Sequence, residues 1–235
     1  MKSVACEVVL LRHAHSTANE KGILAGRDNS VGLSTKGFDQ AERIAQHLGQ
    51  SQFDGIFVSD LTRCKETIAP LMKSLRRQNA NKLKAISQST SKAIMEMDYG
   101  TWSGKKLDVL SKRPLWQEIQ RRPSMVRFPD GESFIEMSLR ANQAVAEMAE
   151  GRKRILVVSH GDVIKAILAH HLGLPLDNFQ RLSVDPASIS IIRLPHSQVV
   201  QMNSTAHLTD GSTLVTKHRA THRPAHTLGG GAGVL

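Results

Sequence analysis

Arg12 and His13 end the apolar run in VVLLRHAHSTAN, and a second histidine, His15, follows two residues later. Arg63 comes shortly after another apolar run in FVSDLTR, and His160 directly after a third in VVSHGD. A guanidinium is a fixed cationic fork that matches phosphate oxygens, as a lysine ammonium does not. A neutral imidazole is a competent nucleophile near neutral pH, and two neighbouring guanidinium charges disfavour its protonation. Singly, each residue has a plain alternative. A histidine at a strand end is usually structural or exposed, and an arginine in a first helical turn opposes the helix dipole unless an anion lies close. The combination is more specific. Arg63 falls in the first turn of one helix and Gly161 opens another, so two arginines, two histidines and two helix N-termini describe a site for a dianion.

Such a cluster needs a frame that brings separate strand ends together. Residues 4–11 predict a strand that is apolar on both faces apart from Glu7, as in a covered parallel sheet. LSTKGFDQAERIAQHL predicts a helix capped by Ser34 or Thr35, with Ala41, Ile44, Ala45 and Leu48 at helical spacing. GIFVSD is a second strand, and LTRCKETIAPLMKSL a helix bent or ended near Pro70. Residues 76–92 predict a loop and a weak strand, and residues 93–97 strand or loop. KKLDVLSKRPLWQEIQRR is one helix, or two short ones around Pro114. In ESFIEMSLRANQAVAEMAE the apolar stripe is Phe134, Met137, Leu139, Ala141, Ala144, Val145 and Met148. RILVVS is a buried strand, HGDVIKAILAHHLGL a helix closed by Gly173 and Pro175, and SISIIRL and VVQMN are closing strands. The alternation predicts an α/β fold with a mostly parallel sheet, in which ligands bind beyond the carboxyl ends of the strands.

The 235 residues suffice for one well-cored domain. Periodicity fades near Thr209, dividing the chain into a domain over 1–208 and a His-, Arg- and Gly-rich tail over 209–235, expected to be disordered. A formal charge of +10 fits solvated surface charge first and a preference for anionic small molecules second. Six Phe, two Trp and one Tyr, with neither a zinc-finger spacing nor an RNA-recognition signature, argue against nucleic acid as the partner. The apolar runs fall short of the ~20 residues of a membrane span, and the N-terminus lacks the features of a signal peptide. With only Cys6 and Cys64, a reducing, cytoplasmic setting is the default. His15, His47, His170 and His171 show no metal-ligand spacing, and the last two read as helix surface. A homodimer is left open.

Taken together, LLRHAHSTAN, VSDLTRCKET, MEMDYGTWSG, FPDGES and VVSHGDVI, with MNSTAHL near the end, resemble the histidine phosphatase superfamily, the phosphoglycerate mutase-like proteins, over about residues 4–208. The resemblance implies a three-layer sandwich and a phosphohistidine intermediate, with no metal or cofactor. His13 is then the nucleophile, Arg12, Arg63 and His160 hold the phosphoryl oxygens, and Asn19 adds a neutral donor. Glu96 becomes the proton donor, desolvated by Met95, Met97 and Trp102, with Asp98 a weaker candidate. Ser16, Gly26, Tyr99 and Gly161 complete the binding set, although Tyr99 could equally pack and Ser59 is read as the cap of Arg63's helix. Ala14 stands where the family usually has glycine and His15 where glutamate or glutamine is common; neither change removes a group the chemistry requires. Arg121 and Arg122 superficially match the arginine pair of the mutase branch, but the segment from Gly104 to Pro129 is short for a mutase and the SDL before Thr62 favours the phosphatases. The expectation is therefore a phosphomonoesterase acting on a small phosphorylated substrate, with mutase-type phosphoryl transfer and a non-catalytic phosphate-binding module as alternatives.

Overall fold

Val8 to Leu11 are all buried, although strand geometry sends them alternately to opposite faces. Two layers must therefore cover the sheet. The computed structural model describes residues 5–78 and 88–209. Within them the chain runs β1 (Cys6–Arg12), α1 (Thr17–Lys21), α2 (Thr35–Leu48), β2 (Gly55–Ser59), α3 (Thr62–Gln78), β3 (Gln88–Ser91), α4 (Leu107–Leu110), α5 (Pro114–Arg121), α6 (Phe134–Ala149), β4 (Arg154–Ser159), α7 (Gly161–His171), β5 (Ile189–Leu194) and β6 (Gln198–Ser204), joined in places by short 3₁₀ turns. The six strands form one sheet in the order β3-β2-β4-β1-β5-β6. The first four are parallel, and β5 and β6 add an antiparallel edge.

Val8, Leu10, Ile155 and Val157 pack beneath α6 and α7, against Phe134, Met137, Ala141, Val145, Ile164 and Ile167. Val9, Leu11, Leu156 and Val158 face α2 and α3, meeting Ile44, Leu48, Ile68 and Leu71. The result is an α/β three-layer sandwich with a mostly parallel central sheet. Ser34 is the cap of α2, its hydroxyl accepting the Gly37 N–H at 3.2 Å.

One local expectation changes and two open alternatives are narrowed. Helix α3 continues through Pro70 to Gln78. An interior proline costs about 3 kcal/mol. Ile68, Leu71 and Leu75 flank it in the same core, each worth roughly 1.5–3 kcal/mol when buried, and together they outweigh that cost. Leu139 is 66% exposed. Lying two residues from both Met137 and Ala141, it is carried round to the far side of α6. Of the alternatives for residues 93–97, strand or loop, the loop is found: a 3₁₀ turn at 92–94 is followed by irregular backbone through Tyr99. Of the predicted loop and weak strand over 76–92, the strand is β3, while residues 79–87 lie outside the described residues. So does the expected tail from residue 210 onward.

Candidate active site

Because β2, β4 and β1 are neighbours, their carboxyl ends meet on one edge. Arg12 is opposite Ser159 in the register, and the His13 N–H donates to the Ser159 carbonyl at 2.9 Å. His160 is the cap residue of α7, and Arg63 lies in the first turn of α3 just beyond β2. The His13 and His160 rings are 5.2 Å apart.

The His13 tautomer follows from one hydrogen bond. Nδ1 lies 2.8 Å from the Ala14 carbonyl, which can only accept, so Nδ1 carries the proton and Nε2 keeps its lone pair. Burial, then the Arg63 and Arg12 charges, hold the imidazole pKa well below its ordinary value. Ala14 itself is fully buried, and its N–H donates to Thr67 Oγ1 at 2.9 Å, so the methyl that replaces the usual glycine is accommodated in the core.

His160 is oriented through its other nitrogen. Nε2 is 2.6 Å from Ser59 Oγ and 3.5 Å from Cys64 Sγ, while Nδ1 is buried with no hydrogen-bond partner among the described residues. Burial pushes the Cys64 thiol up to about 12, so it stays protonated. In the tautomer in which the Ser59 hydroxyl donates to Nε2, Nδ1 carries the proton and is a free donor. Ser59, predicted to cap α3, thus serves the histidine, a role that a serine between strand and helix does not reveal in sequence.

Both arginines are buried. Arg12 Nη1 donates to the Val184 carbonyl at 2.6 Å, and Arg63 Nη2 to that of Gly26 at 2.7 Å. Burial lowers both guanidinium pKa values, opposed by nearby acids that include Glu96, yet a guanidinium remains charged. Gly26 has φ +54°, and a β-carbon there would collide with Ser103. Glycine adopts this turn without strain, and Arg63 reaches the carbonyl it presents.

Glu96 is buried, and its pKa is raised to about 7. Burial is the main cause and the Asp162 charge the second; Arg63, the Met97 N–H and Arg12 pull the other way. Since Glu96 lies on irregular backbone, other groups must hold it. Arg27 Nε and Arg140 Nη2 donate to its carbonyl at 3.0 and 3.3 Å, and both guanidinium groups bond Glu132. Glu132 also accepts the Asp98 N–H at 2.8 Å, and the Asp98 carboxylate pairs with Arg27. Asp98 is therefore part of the support and is not among the residues of the cavity wall.

A small cavity of about 30 Å³ brings together Arg12, His13, Arg63 and Glu96, with Ser16, Asn19, Gly26 and Tyr99 also in its wall. Ser16 and Asn19 form a capping box at α1, Asn19 Oδ1 accepting both the Ser16 N–H and its hydroxyl. Tyr99 does two things: its ring packs edge-on against Phe128 while its hydroxyl donates to Asp162 Oδ2 at 2.7 Å. His160, whose ring lies 5.2 Å from that of His13, and Gly161 are not among the wall residues; Gly161 supplies the start of α7. Asp162 was not singled out from sequence, though it stands in VVSHGD. It is fully buried, pairs with Lys165 at 2.9 Å and is linked electrostatically to Glu96. His15 stands outside the wall, with Nδ1 2.8 Å from Ser34 Oγ. His170 is exposed as predicted, but His171 is half-buried against Ser197.

Cations on strand ends, around a neutral imidazole and a carboxyl that keeps its proton, define the class: an α/β protein that handles phosphoryl groups. The chain belongs to the histidine phosphatase superfamily (branch 1), whose family model matches residues 8–205. It is 31% identical over 225 residues to phosphoserine phosphatase 1 of Hydrogenobacter thermophilus, spanning 91% of this chain and 99% of that protein. It is 27% identical over 205 residues to the 2,3-bisphosphoglycerate-dependent phosphoglycerate mutase of Methylorubrum populi, spanning 83% of this chain and 92% of the mutase. Among solved structures, Bacillus stearothermophilus YhfR shares its fold with a TM-score of 0.75 at 24% identity, over 87% of this chain and 100% of that one.

Proposed function

We propose that this chain is a phosphomonoesterase for small phosphorylated metabolites, working through a phosphohistidine on His13. One observation carries the reading: a single cavity holds an imidazole with a free Nε2 lone pair and a carboxyl whose pKa is raised to about 7, so that much of it keeps its proton where an ordinary carboxyl has lost it. His13 Nε2 attacks phosphorus as the ester P–O bond breaks, and Glu96 gives its proton to the departing alkoxide. Water then attacks phosphorus as the N–P bond breaks, Glu96 takes the water proton, and phosphate leaves with the electron pair returned to His13 Nε2. Arg12, Arg63, the Nδ1–H of His160 and the side-chain amide of Asn19 are assigned to the phosphoryl oxygens, where they take up transition-state charge. With charge met by guanidinium groups, the scheme calls on no metal.

The mutase alternative is weakened by Arg121 and Arg122. Both are exposed and neither lines the cavity, and Arg122 pairs with Glu118 at 2.8 Å. The test is hydrolysis of p-nitrophenyl phosphate in EDTA, with acid-labile phosphoenzyme trapped by rapid quench. Steady turnover through a labelled intermediate supports the phosphatase. Phosphate binding with no turnover supports the binding module, and transfer from 2,3-bisphosphoglycerate to a monophosphoglycerate supports the mutase.

A second prediction concerns His160. Ser59→Ala removes the nearer donor to Nε2 and frees the ring to take the other tautomer, so kcat falls about tenfold, in line with the 1–3 kcal/mol of an unmet buried partner. Ser59→Thr restores it. Equal kcat values for wild type and Ser59→Ala would refute the positioning role.

We assign the catalytic unit to residues 1–208, with 209–235 as an appended tail. A cytoplasmic setting is proposed on the two buried free cysteines, Cys6 and Cys64. Among the described residues, no helix is long and apolar enough to cross a membrane.

A further inference from the structure

The cavity has two chemistries. Its polar part is accounted for by the phosphoryl group and the proton donor. The remaining wall residues are apolar in type: Ala18, Ile23, Leu24, Ala25 and Leu107. Two backbone segments build it. Helix α1 ends at Gly22, whose φ of +62° turns the chain, and Ile23 then pairs antiparallel with Lys106. The Leu24 N–H donates to the Lys105 carbonyl at 2.9 Å, and the Leu107 N–H to that of Gly22 at 2.8 Å.

The nearby cations are turned to other uses. Lys105 and Lys106 contribute backbone to this pairing, and neither lines the cavity. Arg27 follows Gly26, but its Nε donates to the Glu96 carbonyl and its two terminal nitrogens to Asp98 and Glu132. Among the described residues, Arg12 and Arg63 are the only cations in the wall, and the proposed phosphoryl site uses both. Tyr99 is likewise committed, its hydroxyl donating to Asp162. A carboxylate on the alcohol half of a substrate would thus be desolvated against hydrocarbon with no counter-charge.

We propose that the substrates of this site are monoesters of neutral alcohols that present a hydrocarbon face, and that phosphoglycerates and phosphoserine are disfavoured. The inference rests on the phosphomonoesterase reading and adds to it the chemistry of the alcohol.

The test measures kcat/KM of the full chain for butyl phosphate, glycerol 3-phosphate, 3-phosphoglycerate and O-phosphoserine. Glycerol 3-phosphate and 3-phosphoglycerate differ at one carbon, so their ratio isolates the charge. The butanol alkoxide is the poorest leaving group of the set, so intrinsic reactivity opposes the expected order. Butyl phosphate should exceed each carboxylated ester by about tenfold or more, and glycerol 3-phosphate should exceed 3-phosphoglycerate. Leu107→Arg should shift the ratio of 3-phosphoglycerate to butyl phosphate upward by about tenfold, a comparison made within one protein and independent of how much of it folds. Should that variant yield no folded protein, the wild-type ratios decide alone. Carboxylated esters turned over as well as butyl phosphate overturn the inference and leave the phosphatase standing, as does an unchanged ratio in folded Leu107→Arg. No turnover of any ester overturns the phosphatase reading and the inference with it.

Discussion

His13→Ala abolishes phosphomonoester hydrolysis, lowering kcat by about 10⁴-fold or more, the scale on which a covalent nucleophile is lost. Nothing nearby can replace it. His160 Nε2 is engaged by Ser59, and the Cys64 thiol is held protonated by burial. The phosphate site itself should survive, since Arg12 is held by the Val184 carbonyl and Arg63 by that of Gly26, neither through His13. The variant is therefore expected to keep its thermal stabilisation by inorganic phosphate while forming no acid-labile phosphoenzyme. Turnover within tenfold of wild type would sink the assignment of the nucleophile.

Glu96→Gln should separate the two half-reactions. Cleavage of an alkyl ester needs a proton on the alkoxide, so its kcat falls by about 10²–10⁴-fold. Nitrophenolate leaves readily without one, so p-nitrophenyl phosphate still phosphorylates His13. Hydrolysis of the phosphoenzyme then stalls for want of a base, and stopped-flow traces show a burst of one equivalent followed by near-silence. The same carboxyl sets the pH dependence. It must be protonated to act as an acid, and its pKa is about 7, so wild-type kcat/KM for alkyl esters declines as the pH passes 7. His13, already neutral through burial and the two arginines, contributes no rise near pH 6.5.

Stability responds in the opposite sense to most carboxylates. The folded pKa lies above the ordinary 4.5, so the folded state binds the extra proton. The associated stability is full below 4.5, declines as the pH climbs and is gone above about 7. Glu96→Gln, which cannot ionise, should match wild type at pH 4 and exceed it at pH 8 by up to about 3 kcal/mol in urea unfolding. A variant no more stable than wild type at pH 8 would show that the carboxyl is not strained there.

The parts of the site legible in sequence are those where a regular element stops on an unexpected residue. An apolar strand ending in Arg12-His13 and another ending before His160 conflict with local pattern, and that conflict marks chemistry. Glu96 has no such signal. It follows a 3₁₀ turn on irregular backbone, and only its resemblance to a family motif identified it. Asp162 was hidden because an acid in a first helical turn is what the dipole favours, so nothing about it called for a second explanation. The course of α3 through Pro70 was decided by core packing on both sides of the proline, information that a local rule does not contain. The support under Glu96 was invisible for the same reason: Arg27, Glu132 and Arg140 are distant in sequence and meet only in the folded chain.

The pairing of residues 22–24 with 104–107 lies outside the six-stranded sheet. His13 and both arginines come from strand ends and helix starts of the central sheet, whereas the apolar wall comes from two segments outside that sheet, bonded to each other through their backbones. Substitutions at Ile23 or Leu107 can therefore accumulate without disturbing the phosphoryl machinery. Over descent from a common ancestor, such a scaffold inherits its reaction and drifts in its substrate, so conservation of the catalytic half says little about which alcohol a given lineage has come to release.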